Sequence, residues 1–411
     1  MAKKSKTTNN TAVSVGSKKL KTNLTMENFT ILRGILKKNL QRDSKKKFIQ
    51  PPGTIQIDDV QIDEGINRIN NLTQELCDTI MHNGSAVLKI PSRSNKNIIY
   101  DQTLDLLLLG NKLTSKNLLS LTSVIDTTRL MRVLELVYEL LSKDIHATKR
   151  EIFYGDVNLF QDQKNSDASI EDVSTILKTT RNSTHIVASA KGTAIGRLRI
   201  KDKNDIIDLE GLGSGGWTIS PMLDNIEILE SDAEFILVLE KDAAMIRLSE
   251  ARWWRKFPCI ILTGKGAADM ATRMFLKRIN KVLNLPTFAL MDSDPYGHYI
   301  YSVYLRGSKR LSYESPFLAT PNMHLLGVLS KDLAEYNIPA NCRIAMNKQD
   351  NKRLDEMLNE DFVKNNKKWS ADLRLMKKLK VKAEIQALSA HGFEFLTESY
   401  LPNKIESGDW I

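Results

Sequence analysis

A chain of 411 residues, 42% hydrophobic and 26% charged, has the composition of a globular protein long enough for two or three domains. No run of 18 or more apolar residues occurs, so no membrane-spanning helix is expected, and the opening MAKKSKTTNN lacks the apolar core of a secretory signal. Three widely spaced cysteines, Cys77, Cys259 and Cys342, argue against a disulfide framework or a zinc site and for a reducing compartment.

The net charge of +10 is unevenly placed. Residues 1–50 hold 13 Lys/Arg against 2 Asp/Glu, whereas the rest of the chain is close to neutral. This tail, rich in Lys, Ser, Thr and Asn, is expected to be largely disordered over residues 1–64. Its basic clusters fit a nuclear address or a nucleic-acid tether, and fit a solubilising tail equally well. Charge alone therefore does not make the chain a DNA-binding protein.

Residues 65–203 read as helices followed by a short hairpin. RLMRVLELVYELL places Leu130, Val133, Leu134, Val137 and Leu141 on one helical face. KREIFYGDVNLF, residues 149–160, carries Tyr154 with Arg150 four residues before it, so the two share a face if the segment is helical. SIEDVSTILKTT repeats the helical pattern with Ile170, Val173, Ile176 and Leu177. THIVASAKGTAIGRLRIK then reads as two short strands around Lys191-Gly192. Helices ending in a basic hairpin are the layout of a winged-helix (CAP-like) DNA-binding domain, although such modules also bind proteins.

Residues 204–231 read as a linker, with GLGSGGW as a loop, and residues 232–411 as an α/β domain with helical elaboration toward the C-terminus. EFILVLE, FPCIILTG and TFALMDSDPYG are continuous apolar runs, each followed by a helical pattern. Continuous rather than alternating strands imply a mostly parallel sheet covered on both faces. Chemistry in such sheets gathers at the carboxyl ends of the strands. There stand Glu240, the Thr263-Gly264-Lys265-Gly266 loop, and Asp292 with Asp294.

Acids at strand ends are often no more than solvent-facing caps. Three of them on matching ends of one sheet repel each other unless a cation lies between, and hard oxygen donors suit Mg²⁺. Residues two apart on a strand face one side, which would place Asp292 and Asp294 together. TGKG is not a phosphate-binding P-loop, because Cys259 stands where the first glycine is required. No ATP site is expected in this chain.

Glu240 in VLEKDA, followed by Asp292 and Asp294 in MDSDPYG, resembles the Toprim domain of topoisomerases and primases. With Arg-Glu-Ile-Phe-Tyr and LTGKGAADMATRMFLKR in this order, the chain from about residue 65 to its end resembles the topoisomerase VI A-subunit family, including its meiotic double-strand-break relatives. EDFVKNNKKW, KAEIQALSAHGFEFLTESYLP and the final DWI are most similar to the plant-type branch.

The resemblance implies that Tyr154 attacks a DNA phosphodiester and becomes joined to the 5′ phosphate. A free phenol titrates near pH 10, about three units above neutrality, so it needs assistance. Arg150 is implied to stabilise phenolate or phosphate charge, and Glu240, Asp292 and Asp294 to hold Mg²⁺. Lys191, Arg197, Lys265 and Arg273 are candidate DNA contacts. Many relatives have a second tyrosine where this chain has Phe153, and an aromatic-proline pair where it has Ala267-Ala268.

The resemblance further implies double-stranded DNA as substrate, a homodimer because one tyrosine cuts one strand, and a separate ATP-binding B-type subunit in an A2B2 assembly. It implies a nuclear location. A meiotic break-maker with the same chemistry, and a non-catalytic DNA-binding subunit keeping the fold, are the alternatives. Expression confined to meiosis would favour the first of these over a topoisomerase working in growing or endoreduplicating cells.

Overall fold

The computed structural model describes residues 29–40, 48–187 and 191–411. Residues 1–28 and 41–47 of the expected basic tail lie outside them. The described part of that tail is structured. Helix α1 (Phe29–Asn39) buries Leu32 and Leu36 against the body, and Arg33 pairs with Glu234 at 2.6 Å. From residue 48 the chain runs along the body, with Ile55 N donating to Leu109 O.

The first half is built on helices α2 (Ile62–Asn83), α3 (Val124–Lys143), α4 (Lys149–Tyr154) and α5 (Gln163–Ile176). The stripe on α3 is buried as its spacing requires: Leu130, Val133 and Val137 are fully enclosed, packed with Ile170 and Val173 of α5. Between α2 and α3, β1 (Val87–Pro91) pairs antiparallel with β2 (Leu113–Asn117).

The expected hairpin around Lys191 is not formed. Instead β3 (Ala147–Thr148) pairs in parallel with β4 (Ile186–Val187). The second arm, β5 (Thr193–Gly196), leaves the helical half and joins the large sheet of the other half. Its four residues are all buried, so they gain more by insertion into a covered sheet than as an exposed wing. Among the described residues this segment supplies no wing to the helical core, so the winged-helix reading is not confirmed by it.

The large sheet has six strands among the described residues. Its order is β6 (Trp217–Thr218), β5, β8 (Cys259–Thr263), β7 (Phe235–Leu239), β9 (Thr287–Leu290) and β10 (Met323–Gly327). Strands β8, β7, β9 and β10 are parallel; β5 and β6 add an antiparallel edge. Every residue of β7 and β8 is buried, which explains their unbroken apolar runs.

Alternate residues feed two cores. Ile236, Val238, Ile260 and Leu262 face α7 (Met270–Leu283) and α8 (Pro295–Arg306), and Trp369 lies in the same core. Phe235, Leu237, Leu239 and Ile261 face α6 (Asp242–Glu250), Trp253 and the C-terminal helices. Two further helices, α9 (Lys348–Asn359) and α10 (Lys367–Leu379), extend the first layer, and β11 (Val381–Lys382) follows α10. The chain passes from β7 to β8 on one side and returns to β9 on the other. The crevice at the carboxyl end of β7 is therefore a topological switch point.

Candidate active site

Two separate groups of residues carry the chemistry read from the sequence. The first lies on α4. Its start is fixed by a capping box: Glu151 N donates to Thr148 Oγ1, and Thr148 N donates to Glu151 Oε2. Ile152 is buried beneath the helix, and Phe153 packs at the edge of the same core. That leaves Tyr154 pointing outward, 71% exposed, in contact with the Phe153 ring at 5.2 Å. An ordinary core aromatic would not be so exposed.

The two cations upstream are used differently. Lys149 Nζ lies 3.2 Å from Asp167 and 3.8 Å from Glu171 on α5, and burial holds its pKa below the usual lysine range. It fixes the helix. Arg150 is exposed, on the face of Tyr154, with no ion pair among the described residues.

The second group lies at the switch point. Glu240 follows β7 directly. Its main chain ties three loops together, its N–H donating to Leu290 O at 3.1 Å and its carbonyl accepting from Gly266 N at 2.7 Å. Glu240 Oε2 accepts from Asp292 N at 2.9 Å. Asp292 Oδ1 accepts from Ile385 N at 2.9 Å, and Oδ2 lies 2.8 Å from Lys241 Nζ, which also reaches Glu384 at 2.9 Å.

Asp292 and Asp294 do not share a strand face, because β9 ends at Leu290. The two lie in the turn that follows. Asp294 caps α8, its Oδ1 accepting from Gly297 N at 2.6 Å. Gly297 is required there: a Cβ would stand 2.5 Å from Asp292 O and 3.1 Å from Glu240 Oε2.

The electrostatics are those of a site short of positive charge. Burial, and then the neighbouring Asp292 carboxylate, push Glu240 up to about 7. Burial likewise raises Asp292, against the opposing effect of Lys241. Glu240 Oε1 and Asp294 Oδ2 accept no hydrogen bond among the described residues. Free carboxylate oxygens beside a strained buried carboxyl fit a hard divalent cation, with Lys241 meeting part of the charge.

A different acidic group has the tighter spacing. One oxygen each from Asp332, Glu335 and Asp409 lies within 4.8 Å of the others. Its charge is already met: Lys404 reaches Asp332 at 3.1 Å and Asp409 at 2.6 Å, Lys331 reaches Asp409 at 2.5 Å, and Tyr400 donates to Asp332. This is an ion-pair network that closes the C-terminus onto the sheet.

The four candidate DNA contacts part company. Lys191 and Lys265 are exposed, Lys265 near Asp242 at 3.6 Å. Arg197 is clasped by Asp232 and has Glu210 nearby, so its charge is spent within the fold. Arg273 is 1% exposed, enclosed near Tyr304, Glu314 and Asp269; its guanidinium is not on a surface that a DNA backbone could meet. Lys241, Glu384 and the Ile385 amide were missed. Only Lys241 left a signal, as a cation adjacent to Glu240.

Residues 235–405 match the Toprim domain of the topoisomerase 6 A-subunit/Spo11 family, and residues 126–186 match the family described as Type IIB DNA topoisomerase. The DNA topoisomerase 6 A subunit of Arabidopsis thaliana is 46% identical over 343 residues, covering 84% of this chain and 80% of that protein. The type 2 DNA topoisomerase 6 A subunit of Aeropyrum pernix is 36% identical over 351 residues, covering 79% and 90%. Meiotic recombination protein SPO11 of Mus musculus is 34% identical over 351 residues, covering 85% and 89%. The matched stretches contain both the tyrosine helix and the acidic switch point, and the chain belongs to the topoisomerase 6 A-subunit/Spo11 family of type IIB DNA topoisomerases.

Proposed function

We propose that this chain is the DNA-cleaving A subunit of a type IIB topoisomerase, with Tyr154 as nucleophile. The observation that carries this reading is the outward hydroxyl of Tyr154 on a helix whose other side is fixed by a capping box, Ile152 and Lys149. Tyr154 Oη attacks the phosphorus of a DNA phosphodiester and gives its proton to solvent. The P–O3′ bond breaks, the 3′ oxygen takes a proton from solvent and leaves as a hydroxyl, and the 5′ phosphate is held as a phosphotyrosine. One ester replaces another, so the reverse attack reseals the strand without an outside energy source.

Arg150, on the same face, stabilises the negative charge that grows on the phosphoryl oxygens. Glu240, Asp292 and Asp294 would hold Mg²⁺, whose charge would offset that of the phosphate. Lys241 holds the Asp292 carboxylate in place.

One tyrosine cuts one strand, so a double-strand break takes two copies of the chain. Strand passage requires ATP, assigned to a B-type partner subunit in an A2B2 assembly, and the DNA substrate implies the nucleus. The greater identity to the plant topoisomerase protein than to the mouse meiotic protein supports the topoisomerase branch.

The test is a covalent-adduct assay with the candidate B subunit, Mg²⁺, ATP and supercoiled plasmid, quenched in denaturant. Adducts from wild type and none from Tyr154→Phe, with plasmid relaxation, are expected. Adducts without relaxation would instead mark a break-maker. No adduct with a bound B subunit would overturn the reading in favour of a non-catalytic DNA-binding subunit.

A further inference from the structure

Helix α10 carries charge of one sign on its exposed surface. Lys367, Arg374 and Lys378 stand at i, i+7 and i+11, within about 40° of one another around the axis and spread over roughly 16 Å. All three are exposed, and none has a hydrogen bond or ion pair among the described residues. Several neighbouring cations are treated otherwise: Lys364 pairs with Asp361, Lys377 with Asp355 at 2.7 Å and Lys382 with Asp350 at 2.9 Å, while Lys368 donates to Trp410 O. The helix's one acid, Asp372, is buried and accepts from Ser330 N.

This stripe is connected to the acidic switch point by two short paths. From the end of α10 the chain passes through β11 to Ala383, which exchanges two main-chain hydrogen bonds with Ser293, between Asp292 and Asp294. Two residues on, Ile385 N holds Asp292. Alongside, α9 packs on α8, where Arg353 lies 4.6 Å from the Tyr299 ring. An ordinary solvated helix face mixes both signs of charge. A stripe of unpaired cations, anchored next to acids that would hold a metal against phosphate, fits a polyanion.

We propose that Lys367, Arg374 and Lys378 bind the phosphate backbone of the DNA duplex flanking the cleavage site. The inference rests on the proposed function, which supplies the DNA. Laid along the duplex axis, a stripe of this length passes roughly five phosphates of one strand, at 3.4 Å of axial rise each. Its contacts carry no sequence preference; they set how firmly and in what register the duplex lies on the protein.

The experiment measures duplex affinity against salt concentration, with the full-length chain and a labelled linear DNA. Each phosphate that the protein no longer neutralises makes the slope of log K against log salt less negative by about 0.9. The triple variant Lys367→Ala, Arg374→Ala, Lys378→Ala should therefore shift it by roughly two to three. The double variant Lys364→Ala, Lys377→Ala, which removes cations already paired with acids, should leave the slope in place. So should Lys367→Arg, Arg374→Lys, Lys378→Arg, which keeps the charge and guards against misfolding.

A triple variant with the wild-type slope would overturn the proposal. So would an equal shift in the double variant, which would reveal a general charge effect. Slope shifts as expected, but no Tyr154 adduct from the wild type, would uphold this surface and sink the cleavage reading.

Discussion

Arg310 Nη2 lies 2.9 Å from Glu171 Oε1, and through that contact the segment after α8 grips the helix next to the one that bears Tyr154. Glu171 also receives Arg93 and has Lys149, the first residue of α4, within 3.8 Å, while its own side chain is only 2% exposed. One buried carboxylate thus sets the tyrosine helix against the sheet half. Glu171→Ala would leave Arg93 with Asp172 and Lys149 with Asp167, but would remove the buried carboxylate that all three cations share. Breaking a buried pair from one side costs about 3–5 kcal/mol, and less here because Asp167 and Asp172 still meet two of the cations. A marked fall in melting temperature is expected, with Arg310→Ala falling much less because Arg310 is 64% exposed. Equal losses from the two variants would remove Glu171 from this role.

Gly297→Ala separates helix propensity from site geometry. Alanine favours a helix by up to about 1 kcal/mol over glycine. The added methyl would nevertheless meet Asp292 O at 2.5 Å and Glu240 Oε2 at 3.1 Å, forcing apart the two acids that Asp292 N now joins. Single-turnover adduct formation should fall at least about tenfold, which corresponds to roughly 1.4 kcal/mol of barrier. Cleavage at the wild-type rate would mean that the reaction does not use this arrangement.

The parts legible in the sequence were those set by local pattern. Phe235–Leu239 and Cys259–Thr263 read as buried parallel strands because neither has a wet face to impose alternation. Tyr154 and Arg150 fall on one face of α4 as their spacing implied. What failed was non-local. Thr193–Gly196 reads as a hairpin arm from its neighbours, yet its partner is Cys259–Thr263, more than 60 residues on. There Gly196, at φ +110°, fits where a Cβ would lie 2.4 Å from Cys259 O. Asp292 and Asp294 were visible as acids, but not the end of the strand two residues earlier. Nor could any periodicity announce that Ile385, 93 residues away, would hold Asp292.

Asp292→Asn tests the cation site with little disturbance to the fold. The amide oxygen can still accept from Ile385 N, and Lys241 keeps Glu384. The bond lost from Lys241 is charge-assisted and worth about 1.5–3 kcal/mol, offset in part because the buried carboxylate no longer has to be kept charged, so melting should shift by only a few degrees. Adduct formation should vanish and stay absent in excess Mg²⁺. In the wild type, chelation should abolish adducts and added Mg²⁺ restore them. Adducts from Asp292→Asn at ordinary Mg²⁺ would exclude the carboxylate as a ligand.

Lys277 gives a pH dependence with a definite sign. Burial, and then Lys281, push its pKa down to about 8, and its amine donates to Ala319 O at 2.7 Å. The unfolded chain therefore binds more protons than the folded one between about pH 8 and pH 10.5, and this group's contribution to stability rises with pH across that window. Below pH 8 the full cost of a charged buried amine is present. At about 1.4 kcal/mol per pKa unit it is on the order of 3 kcal/mol at most, and less to the extent that the amine reaches water. Lys277→Met keeps the apolar stem and removes the charge. It should be more stable than the wild type in denaturant melts at pH 7, and the advantage should shrink steadily toward pH 10. An advantage that does not change with pH would mean that the amine is solvated and its charge costs nothing.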